Sequence, residues 1–228
     1  MSTDSRVGVD PRPAVGAVLE HPLVGLERRR TAVAVAYLTV LVGLFAVSYA
    51  GTTVTIDGTV LDTTVPWFDT ISAWLIALST ATFAIAPFVY AVWNGGPALA
   101  FAMPLVPIVL GYLAAGRYVL DLDGAIALTV GGAASALAWL ATDARRTGSL
   151  RPWRSSGFDV TLPCFVAGAT VVAAVGVGRY LLAVPPRSLE WYAPFAVLWL
   201  VPLVVVGAYC RPVVRIVIGA VGDDRTNE

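Results

Sequence analysis

Two arginines in like surroundings are the first residues of this chain whose type and spacing suggest chemistry: Arg117 in GRYVL (116–120) and Arg179 in GRYLL (178–182). A guanidinium offers a planar fork of donors that holds phosphate or carboxylate by two parallel bonds. Paired on one rim, Arg117 and Arg179 would form a contact for an anionic solute or a lipid headgroup. The plainer role is that of anchors. An Arg at the end of a membrane helix snorkels to the headgroups while its neighbouring Tyr lies in the interfacial belt. Arg117 also precedes Asp121 by one turn, a spacing that suits an exposed ion pair. The anchor role accounts for both motifs, and two short matches do not establish duplication of a helical hairpin.

The remaining reactive residues mostly exclude. DLDG at 121–124 looks like the start of a calcium loop, but the next ligand positions run into apolar AIALTV. Asp123 is better read as the cap of a helix. The single His is His21, in the N-terminal tail, which rules out di-histidine metal sites, bis-histidine haem and His-dependent hydrolytic sites within a membrane. All fifteen basic side chains are Arg, so no Lys is present to form a Schiff base. No Walker loop, GxGxxG or GxSxG occurs. Cys164 and Cys210 make no CxxC pair and are expected as small buried apolar side chains near the inner face. No catalytic residue, metal ligand or cofactor site is expected.

These residues sit in a chain of 228 residues that is 57% hydrophobic and 13% charged, with a mean hydropathy of +0.77. Soluble domains carry about a quarter charged residues, so a bilayer is the natural solvent here. The formal charge is zero, which offers nucleic acid no basic face. The lack of Lys beside abundant Asp, Val and Ala resembles the usage of extreme halophiles with GC-rich genomes.

Charges punctuate the chain at membrane intervals. Six apolar runs, 31–50, 70–93, 97–118, 125–142, 160–182 and 191–210, each supply the roughly twenty residues that cross about 30 Å at 1.5 Å per residue. None carries an Asp or Glu at its middle, where proton and cation carriers are usually found. WNGGP at 93–97 divides the second run from the third, since Gly-Gly-Pro cannot continue a helix. Arginine placement orients the bundle. With the N-terminus inside, Arg28 to Arg30, Arg145, Arg146, Arg151, Arg154, Arg211 and Arg215 are cytoplasmic, and only Arg117, Arg179 and Arg187 lie outside. The expected fold is an all-α integral membrane protein: six transmembrane helices in three hairpins, N-in and C-in. Residues 1–30 form a cytoplasmic tail that lacks the apolar core of a cleavable signal. Residues 31–210 form the bundle, and residues 211–228 a C-terminal tail.

Finer features follow from local pattern. TTVTIDGTVLDTT (52–64) flanks Asp57-Gly58 with β-prone runs and predicts a short extracellular β-hairpin between the first two helices. Residues 14–27 and 212–221 are apolar but too short to span, and suit the inner interface. Ala32, Ala36, Thr39, Gly43, Ala46 and Ala50 form one stripe of small residues, as do Ala73, Ala77 and Ala81, and Gly131, Gly132, Ser135 and Ala136. Such stripes let helix backbones approach in lipid. PLVP at 104–107 marks the third run as the best candidate for a kink. The function this predicts is a non-catalytic structural or accessory component of the cell membrane, in contact with lipids and with itself or another membrane protein. The alternative is a facilitator or channel for a small neutral or anionic solute, which needs no intramembrane carboxylate. A dry interior of Ala, Gly and Val favours the first, and a continuous polar path favours the second.

Overall fold

The computed structural model describes Gly16, Leu19 and residues 21–56, 65–117, 119–154 and 160–210, and all regular structure among them is helical. In chain order the helices are α1 (Arg28–Ile56), α2 (Val65–Ala84), α3 (Ala86–Asn94), α4 (Pro97–Ala102), α5 (Leu105–Ala115), α6 (Leu122–Thr147), α7 (Thr161–Ala183) and α8 (Pro186–Ala196). Short 3-10 turns cover Pro152–Arg154 and Val197–Trp199, and helix resumes over residues 200–210.

Five stretches are long and apolar enough to cross a membrane: Arg28–Ala50, Pro97–Ala115, Leu122–Thr147, Thr161–Ala183 and Pro186–Cys210. The pair α2–α3, bent by 55°, passes the same test only when taken together, which makes five or six candidate spans. The bend has a local cause: Pro87, at the start of α3, has no N–H for the preceding turn. At PLVP the helix is interrupted between α4 and α5, where Met103 and Pro104 form a turn, and Pro97–Ala115 continues across it as one candidate span. Pro194 lies inside α8 and is followed directly by the 3-10 turn.

α6 is the axle of the bundle. About 78% of its spanning window is buried, against 17–28% for the four other continuous spans. It contributes to all three apolar clusters. Ala134 and Ala138 meet α1, α3 and α4; Ile126 and Val130 meet α7 and α8; Ala136 and Trp139 meet α7 and Tyr209. Its small residues set the approach distances. A Cβ on Gly131 would lie 2.7 Å from the Phe101 carbonyl oxygen, and one on Gly176 of α7 would lie 2.6 Å from Leu128. Gly131, Gly132, Ser135 and Ala136 are all buried, as helix packing in lipid requires.

The ends of α6 are specified in the chain. The Asp121 carboxylate accepts the Gly124 N–H at 3.1 Å, Arg145 and Arg146 stand in the last turn, and Gly148 closes the helix with φ +63°. The cap is therefore Asp121, not Asp123 as expected, and Asp123 stands in the first turn. Two carboxylates straddle the start, and the one whose backbone is extended can turn back to the orphan N–H groups.

Three expectations are corrected. On α1 the stripe Ala32, Ala36, Thr39, Gly43, Ala46 and Ala50 is exposed throughout, and nothing lies within 4 Å of a Cβ on Gly43. α1 packs instead through Thr31, Ala34, Tyr37 and Leu41. It lies at the periphery, where reach matters more than close approach: the Tyr37 hydroxyl spans the gap to Thr82 at 2.7 Å. Ala73 and Ala77 also face outward. Cys164 and Cys210, expected to be buried, are exposed thiols on outward helix faces. Finally, residues 52–56, expected as the first strand of the hairpin, continue α1. Asp57-Gly58, the run to Thr64, and residues 211–228 lie outside the described residues.

Candidate functional site

The two GRY motifs differ in structure. Gly116 ends α5 in the left-handed region (φ +60°), and the Arg117 N–H bonds back to the Tyr112 carbonyl at 3.1 Å. That is the glycine-dependent helix stop, with Arg117 just beyond it. Gly178 and Arg179 instead lie inside α7, a turn before its end. Both arginines are exposed, and neither guanidinium bonds to a described residue. The expected Arg117–Asp121 pair is replaced: Asp121 accepts from the Tyr112 hydroxyl and caps α6. Tyr118 is outside the described residues. Tyr180 is core, not belt, and lies 6.3 Å from Tyr192 between ring centres.

The densest polar chemistry lies where α3 stops, at Asn94-Gly95-Gly96. Both glycines have positive φ (+72° and +73°), which reverses the chain into Pro97. Residues 21–27 run as a strap across this break. Leu26 N–H donates to the Asn94 carbonyl at 3.0 Å, and Ala98 N–H donates to Leu23 at 2.8 Å. The Asn94 side chain is fully buried. Its Oδ1 accepts the Glu27 N–H at 2.9 Å, and its Nδ2 donates to Thr31 at 2.9 Å and to Tyr90 at 3.0 Å. The Tyr90 hydroxyl passes its own proton to the Val24 carbonyl. Every polar atom of the buried amide is thus engaged.

Two arginines complete this end. Arg30 donates to the Trp93 carbonyl at 2.5 Å, lies over the Trp93 ring at 5.4 Å, and pairs with Glu27 at 2.8 Å. Arg145 reaches Trp93 at 3.1 Å and also the Val92 carbonyl. Cations from α1 and α6 therefore satisfy the orphan carbonyls at the C-terminus of α3. These two arginines, expected on the inner side, thus have a structural employment. WNGGP by itself reveals the turn; the amide network depends on a partner some 65 residues upstream and leaves no local signal.

Two further polar groups cross the interior. Asp143, nearly buried on α6, accepts the Tyr209 hydroxyl at 2.5 Å; Tyr209 stacks on Trp139 at 4.1 Å and meets Trp153 edge-on at 6.3 Å. Thr129 and Tyr192 share a bond of 2.7 Å, and Trp199 Nε1 donates to Tyr192 at 2.8 Å. Trp139, Tyr192 and Tyr209 are core residues, and the two tyrosine hydroxyls find internal partners. Between these groups the buried surface of α6 is mostly Ala and Gly, with Ile126 and Val130. Ser135 and Thr142 alone among the described residues bury hydroxyls with no partner.

A separate groove of about 400 Å³ opens on the side of the bundle between α1, α2 and α5, with Asp123 in its lining. Among the described residues no three His, Cys, Asp or Glu side chains group as metal ligands. Comparison with protein-family models, curated proteins and solved structures finds no match to this chain.

Proposed function

We propose that this chain is a multi-pass protein of the cell membrane, N-in and C-in with three hairpins, serving as a non-catalytic structural or accessory component. The observation that carries this reading is the packing around α6. Ala125, Ala127, Ala133, Ala134, Ala136 and Ala138 have no accessible surface, so facing helices close on one another rather than on a water column. Apart from the Ser135 and Thr142 hydroxyls, the buried polar groups described above are gathered into local clusters that satisfy themselves. Arginine asymmetry supports the orientation. Its partners are membrane lipids and either a second copy or another membrane protein, and Arg117 and Arg179 act as exposed anchors at the headgroup level.

Proteoliposomes test the choice against a facilitator. Stopped-flow swelling with urea and glycerol, and chloride efflux, should match protein-free vesicles. Saturable flux of any of these above the control would replace the accessory reading with the facilitator one. Chemical cross-linking in native membrane, followed by purification in mild detergent, should then yield a defined protein partner or a homo-oligomer.

A further inference from the structure

We propose that the lateral groove between α1, α2 and α5 binds a single-tailed amphiphile whose positively charged amine head is held by Asp123. The groove measures about 400 Å³, within the range of small-molecule sites. At about 30 Å³ for each heavy-atom group, it takes roughly a dozen. Phe45 of α1, Leu75 and Phe83 of α2 and Ile108 of α5 form apolar walls, and Ser79 and Thr80 place hydroxyls along one of them. The lining has one charged member, Asp123.

Hydrocarbon walls cannot select a ligand in a bilayer, because lipid tails are as apolar as the walls themselves. Selection therefore falls to the polar end. Asp121, two residues away, is occupied by the Tyr112 hydroxyl and the Gly124 N–H. Asp123 has no hydrogen bond or ion pair to a described residue. Two neighbouring carboxylates repel an anionic head, and a neutral hydroxyl gains only an ordinary hydrogen bond. A protonated amine gains a charge-assisted bond to the exposed Asp123 carboxylate. This inference stands apart from the accessory role, which concerns the core around α6.

The test uses a twelve-carbon primary amine with a photoreactive diazirine near the tail end, and the alcohol and carboxylate of the same chain. Each is irradiated with the full-length protein in maltoside micelles near pH 7, where the amine is charged. The amine should label peptides carrying Leu75 to Phe83 or Pro107 and Ile108, and the carboxylate should label them about tenfold less. Asp123→Asn should reduce amine labelling to the level of the alcohol, while Asp123→Glu retains it. Ser79→Trp, which fills the groove, should abolish labelling by all three. Equal labelling by amine and carboxylate, labelling elsewhere on the chain, or amine labelling unchanged in Asp123→Asn would each overturn the proposal.

Discussion

Asn94→Ala probes the fastening of the strap to the helix break. The substitution removes three side-chain bonds, but the losses are unequal. Thr31 still donates to the Glu27 carbonyl at 3.2 Å, and Tyr90 still donates to Val24, so both hydroxyls keep an acceptor. The Glu27 N–H loses its only side-chain partner. An orphaned buried donor costs about 1–3 kcal/mol, and each lost incoming bond costs about 0.5–1.5 kcal/mol. A total of about 2–6 kcal/mol is expected. Unfolding in maltoside by added SDS, followed by tryptophan fluorescence, measures it. Trypsin cleavage at Arg28 to Arg30 should accelerate in parallel, because the strap shields the start of α1. Gly25→Ala supplies the control: its Cβ would press on Asn94 Nδ2 and Thr31 Oγ1, so it should cost less once residue 94 is Ala. A loss below about 1 kcal/mol for Asn94→Ala, with strictly additive behaviour, would show that the amide is not the fastener.

Four other expectations follow. Gly131→Val should cost about 1–3 kcal/mol by overpacking against the Phe101 carbonyl, while Gly43→Leu, which meets nothing, should stay within about 0.5 kcal/mol; both are read in the same SDS titration. Tyr209→Phe should lose about 1–3 kcal/mol, because it leaves the nearly buried Asp143 carboxyl without its 2.5 Å donor. In a background lacking Cys164 and Cys210, cysteines at Thr59 and Ser188 should react with an impermeant thiol reagent on intact cells and one at Ser149 should not; labelling at Ser149 reverses the orientation. Arg117→Lys with Arg179→Lys should preserve folding and retained anionic lipid in native mass spectrometry, as anchors need only a long charged side chain. Selective loss of a bound lipid would assign the pair to headgroup binding instead.

The helices were legible because apolar length and charge spacing leave few alternatives. WNGGP and PLVP marked real breaks, and the Gly131–Ala136 stripe does lie in the buried interior. The same small-residue pattern on α1 misled. Alternation of Ala, Gly and Thr reports what could pack, and only the neighbours decide whether a helix is central or peripheral. Valines at Val33, Val40 and Val47, each more than half exposed, resemble core residues in every compositional respect. In lipid the outer surface is as apolar as the interior, so hydropathy cannot separate them. The GRY repeat misled for a related reason: three identical letters stand at a helix stop in one case and within a helix in the other. Asn94, Asp143 and Tyr209 act through partners 63 to 67 residues away, a relation that no local spacing encodes.

The central position of α6 bears on how the chain comes into being. Chains emerge N-terminus first, so α1 to α5 enter the bilayer before the helix they pack around. Until Leu122–Thr147 arrives, α3 and α4 hold Tyr90, Ala91 and Ala100 against no central surface, and Arg145 is not yet there to meet the end of α3. The early helices then wait as loosely associated rods, joined by contacts such as that of Tyr37 with Thr82 and by the strap. Insertion of one late, alanine-rich segment then converts them into a single body. A nascent chain halted before residue 122 is thus an incomplete kit of parts, recognisable to membrane quality control by polar groups still seeking partners.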